Sequence, residues 1–86
     1  MINKQVAVTT SATQLVTSVE GQWVIFTNSG ATACFIGTGS ALTASNGYEL
    51  AAGASSIRFV TTTSAGDSWY AICASGSTTV DYIQGP

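Results

Sequence analysis

No stretch of this 86-residue chain places apolar side chains at i, i+3, i+4 and i+7 over a helical length, whereas short β-branched and aromatic runs recur between clusters of Gly, Ser and Asn. The chain therefore reads as all-β. Strands are expected over residues 5–9, 14–17, 22–27, 33–36, 48–50, 56–61, 68–73 and 79–83, with a weak ninth run at 42–44. Asn28-Ser29-Gly30, Asn46-Gly47, Ala65-Gly66-Asp67 and Ser75-Gly76-Ser77 supply the positive-φ or Asx-type residues that tight reversals need. Asn46-Gly47 is the strongest hairpin signal among them. Two cores in so short a chain would each be too small to offset chain entropy, so residues 1–86 form one domain. The expected architecture is a small antiparallel β-sandwich of about eight short strands, jelly-roll-like in character.

A sandwich covers one face of each sheet, so its strands should alternate apolar and polar side chains. Two strands break this rule. In one, Trp23 and Ile25 oppose Val24 and Phe26; in the other, Trp69 and Ala71 oppose Tyr70 and Ile72. A strand that is apolar on both faces needs cover on both, and a single small sandwich supplies only one. The simplest missing cover is another subunit.

Chemistry at neutral pH needs a group that moves a proton or holds a metal, and the inventory here is sparse. The chain has no His, two cations (Lys4 and Arg58) and four acids (Glu20, Glu49, Asp67 and Asp81), for a formal net charge of −2. Each acid falls at an expected turn or strand edge, where a solvated charge is the plain reading. No base stands ready to activate a Ser, and Gly37-Thr38-Gly39-Ser40 lacks the Lys and helix of a phosphate-cradling loop. The expectation is a non-enzymatic chain with no catalytic residues, no cofactor and no metal. Two cations are too few for nucleic acid, no apolar run reaches membrane-spanning length, and the opening residues lack the pattern of an export signal. Cys34 and Cys73 both fall inside expected strands; they read as buried apolar thiols, with a cross-strand disulfide as the alternative.

Asn28-Ser29-Gly30, Cys34-Phe35-Ile36-Gly37, Asn46-Gly47-Tyr48-Glu49-Leu50, Ala52-Gly53 and Tyr70-Ala71-Ile72-Cys73-Ala74-Ser75-Gly76 together form a layout. It resembles small virion proteins of tailed bacteriophages, of the capsid decoration or cement kind, from about Val6 to Ile83. The resemblance implies a β-sandwich that forms a homotrimer on the outside of an icosahedral shell. It would bind the major capsid protein and stabilise the shell, having been made in the host cytoplasm. The chain departs from that pattern at Gly21-Gln22, where relatives often carry an Arg, and at its Gln84-Gly85-Pro86 end, where they often carry an acid.

Candidate subunit or capsid contacts are Ile2, Lys4, Val6, Trp23, Ile25, Tyr48, Arg58, Trp69 and Tyr82. Residues 1–8 form a candidate docking arm whose free backbone groups can add to a neighbour's sheet; the alternative is a frayed terminus. Arg58 is either a solvated residue on an apolar strand or the partner of Glu49 or Asp81 across a subunit boundary. Trp23, Trp69, Tyr48, Tyr70 and Tyr82 raise a second function, a tail- or fibre-associated module that stacks host glycan on its rings. Core or interface packing is the simpler use for them.

Overall fold

The computed structural model describes residues 2–86; Met1, the first residue of the expected arm, lies outside them. Eight strands follow in chain order: β1 (Ile2–Val8), β2 (Thr13–Ser18), β3 (Trp23–Asn28), β4 (Cys34–Thr38), β5 (Tyr48–Leu50), β6 (Phe59–Val60), β7 (Asp67–Ile72) and β8 (Thr78–Gly85). They form two four-stranded sheets, sheet A in the order β1-β8-β3-β6 and sheet B in the order β2-β7-β4-β5. Every neighbouring pair is antiparallel. This is the jelly-roll strand order, in which two Greek keys fold over one core.

Residues 2–8 are not a free arm. β1 pairs with β8 from Ile2↔Gln84 to Val8↔Thr78, which uses one backbone edge and leaves the other open. The weak run at 42–44 is not a strand but part of the loop between β4 and β5. Asn46-Gly47 makes no two-residue hairpin either. Asn46 instead closes a turn on Thr43, its Oδ1 accepting from the Thr43 N–H at 2.8 Å. Gly47 is needed for space: a Cβ there would come within 2.8 Å of the Phe35 Cβ. The expected turns at Gly66 and Gly76 do use left-handed glycines, with φ of 80° and 70°.

The inward faces alternate as strand geometry requires. Val24 and Phe26 on β3, Val8 on β1, Val80 on β8, Ile36 on β4 and Leu50 on β5 are all 2% exposed or less. Phe26 is the hub, with ring centroids 5.3 Å from Trp69, 6.2 Å from Phe59 and 6.4 Å from Tyr82. A register shift between Gln14 and Val16 lets consecutive residues, Leu15 and Val16, both face the core.

A buried amide closes each end of this core along β3 and β8. Asn28 donates through Nδ2 to the carbonyls of Thr32 (2.8 Å) and Leu50 (3.0 Å), while its Oδ1 accepts from the Gly30 N–H (3.1 Å) and the Thr78 hydroxyl (2.6 Å). At the other end, Gln84 Nε2 reaches the Thr17 carbonyl (3.0 Å), Ser18 Oγ (3.1 Å) and Gln22 Oε1 (3.1 Å). Both amides find partners despite burial, so each ties its strand to the opposite sheet or to a connecting loop.

Cys34 and Cys73 are buried and reduced. Phe35 pairs with Ile72, so the next antiparallel step sets Cys34 against Cys73. Burial, and then the neighbouring Cys73, push the Cys34 thiol up to about 11 from 9.0, and burial raises Cys73 as well. A thiol whose pKa is raised by folding supports the fold fully below its unfolded value and loses that support as pH climbs through the folded one. The melting temperature is therefore expected to fall as pH rises from 9.0 towards about 11, and a Cys34→Ala protein should show a weaker decline in the same window. Both thiols should resist an aromatic disulfide reagent at pH 8 until denaturant is added. Rapid labelling of the folded chain would contradict the packing described.

Candidate interaction surface

The two sheets treat their outer faces differently. On sheet B, Phe35, Gly37, Tyr70 and Ile72 face outward, and the loop after β4 folds back over part of them. Its Leu42, 8% exposed, seats against Gly37 so closely that a Cβ on that glycine would fall 2.9 Å from Leu42 Cδ1. Leu42 thus belongs to a small outer cluster and not to the inter-sheet core.

Among the described residues, no loop plays this part for sheet A. Its pairing register lays Val60, Trp23 and Gly85 side by side, then Ile25 and Ile83 with Asn3, then Thr27 and Asp81 with Gln5. Trp23 lies over Gly85, where a Cβ would come within 2.5 Å of the indole ring. Ile83 is 42% exposed and Val60 52%. The result is an apolar half-face of Trp23, Ile25, Val60 and Ile83 that grades into a hydroxyl and amide half. Asp81 is the single charged side chain among these rows, and it accepts from the Ser29 hydroxyl at 3.1 Å. Open grooves of about 300 and 210 Å³ flank β8 here, sharing Asp81 and Ile83.

The expected contact residues scatter around this face. Trp23 and Ile25 lie on it. Ile2, Lys4 and Val6 occupy the opposite, inward side of β1, where Val6 packs on the core and Ile2 and Lys4 stay exposed. Tyr48 and Arg58 are exposed at the β5/β6 edge, and Tyr48 stands edge-on to Phe59 at 6.2 Å. Trp69 and Tyr82 belong inside. Trp69 packs against Phe59 at 4.9 Å and Phe26 at 5.3 Å, and Tyr82 is 6% exposed. Each alternates in phase with inward neighbours, Ala71 and Val80, so Tyr82 is buried and Trp69 half-buried against the core.

Ile83, Val60, Ile57 and Val19 complete the exposed apolar set among the described residues, and sequence reasoning did not single them out. Their signal was available only through register: Ile83 is adjacent in sequence to apolar Tyr82, and only pairing with Ile25 reveals which of the two faces out. The five rings raised for sugar stacking do not share a platform. Trp23 is on the outer face of sheet A, Tyr70 on that of sheet B, Tyr48 at an edge, and Trp69 and Tyr82 in the interior.

Among the described residues no three or more His, Cys, Asp or Glu side chains group together. Comparison with protein families, with curated proteins and with solved structures gave no match. Fold and surface together define the class as a small jelly-roll sandwich with one bare, nearly uncharged sheet face.

Proposed function

We propose that this chain is a non-enzymatic virion subunit that decorates the outer surface of a capsid and cements it. In this reading it assembles with copies of itself, as a trimer on the resemblance drawn from its sequence, and binds the major capsid protein. The observation that carries the reading is the bare face of sheet A. Val60 and Ile83 are exposed and Trp23 and Ile25 half-buried, so together they leave apolar area in water on a free-standing sandwich, beside hydroxyl-rich area that packs without charge repulsion. The mechanism is mechanical: expansion of the shell must first strip these contacts from every copy. An interface of about 1,000 Å² per copy is moderate alone and strong when repeated over a shell.

Counting copies on purified virions by quantitative mass spectrometry tests this directly. Hundreds per particle are expected, together with shells that break at lower temperature when the subunit is absent. A handful of copies would move the chain to a tail or fibre, where host glycan becomes the partner to titrate; none would end the virion reading.

A further inference from the structure

Two apolar patches lack cover, and they meet at a corner. One is the outer face of sheet A. The other is the adjoining edge, where β5 and β6 end the two sheets and leave Tyr48 54% and Ile57 67% exposed. Val24 pairs with Phe59 and Thr27 with Ser55, so the strand beside β3 carries one residue more than β3 over this span. That extra residue makes Ile57 and Arg58 bulge out at the edge.

The charges divide between the patches. Among the described residues Asp81 is the one charged side chain in the face's paired rows, and Arg58, one of the chain's two cations, is exposed at the edge. Glu49 sits on the opposite side of β5 from Tyr48, by strand alternation, and so belongs to sheet B's outer face.

We infer that the edge bearing Tyr48, Ile57 and Arg58 packs onto the outer face of sheet A in a second copy of this chain, with Arg58 of one subunit against Asp81 of the next. A face-to-face pair would cover Trp23 and Ile83 but leave Tyr48 and Ile57 in water. Edge-to-face packing covers both patches in every copy. It is a head-to-tail contact, and its closure depends on the angle between the two patches. Patches at opposite poles build filaments, whereas patches that share a corner close a small ring of three or four. The inference rests on the reading of the chain as a self-associating subunit, and its test is separate from capsid attachment.

The test is native mass spectrometry and sedimentation of the full chain, with Arg58→Asp, Asp81→Arg and the double exchange. The wild type should form closed rings of three or four. Each single reversal should raise the concentration at half-assembly about tenfold or more, since like charges then face each other, and the double exchange should recover most of the loss. Unchanged melting temperatures of the dissociated variants show that folding is intact; if Asp81→Arg unfolds the chain, Asp81→Asn and Arg58→Gln provide milder versions of the same comparison. A protein that stays single at high micromolar concentration overturns the inference, as does a dimer, or a ring indifferent to both charges. Rings that assemble yet are missing from virions reject the virion role alone. Virion-bound copies that never associate in solution reject this contact alone.

Discussion

Asn28→Ala is expected to remove a large share of the fold's stability, about 4 kcal/mol, because four buried or half-buried groups lose their partner at once. A small domain has only about 5 to 10 kcal/mol in total, and at this chain length such a loss lowers the melting temperature by about 20 °C. The choice of Asn over its near isostere is equally testable. Asn28→Asp keeps an acceptor for Gly30 and Thr78 but turns the Nδ2 donor into an oxygen aimed at the carbonyls of Thr32 and Leu50. Two acceptors then face each other inside the core, so the carboxylate should do no better than Ala. Urea unfolding of both variants checks this. An Asn28→Asp protein as stable as the wild type would mean that the amide is not oriented as described.

Phe26→Ala should cost about 3 to 5 kcal/mol, by leaving a cavity at the point where Trp69, Phe59 and Tyr82 converge. Phe26→Leu, which keeps much of the volume, should lose less than half as much. By contrast, Trp69→Phe is expected to be mild: the indole Nε1 is buried without a hydrogen-bond partner, so its removal forfeits no polar contact. Denaturant midpoints for the three proteins rank these effects. If Phe26→Ala proves no worse than Trp69→Phe, the aromatic hub has been misplaced.

The strand count and the sandwich were legible because period-two runs and turn residues are local signals. Trp23-Val24-Ile25-Phe26 also declared its excess of apolar surface, since no assignment of inside and outside can hide both halves. Phase was not legible. Trp23 and Trp69 stand in similar apolar runs, yet Trp23 faces out and Trp69 in, because pairing with Gly85 and Val60 fixes one and stacking on Phe26 and Phe59 fixes the other.

Asn28 shows a different limit. In sequence, Asn-Ser-Gly spells a turn, and the turn is there; the four bonds that make Asn28 a core residue come from Thr32, Leu50 and Thr78 as well as from Gly30, groups brought in by the fold. Leu42 misled in the same way, as one apolar residue in a loop that plugs Gly37 on an outer face. Gly85 falls beyond the strand expected over 79–83, yet it lies in β8 and is flat ground for the Trp23 ring.

Quenching of Trp23 by iodide in the mild Trp69→Phe protein, followed across protein concentration, tests the covering of sheet A most directly. Trp23 is then the sole indole, half-buried in one copy and shielded once a second copy packs over it. Quenching should fall and emission shift to the blue as concentration rises, and again when the protein binds shells. A quenching constant that stays the same from dilute solution to saturated particles would contradict that covering.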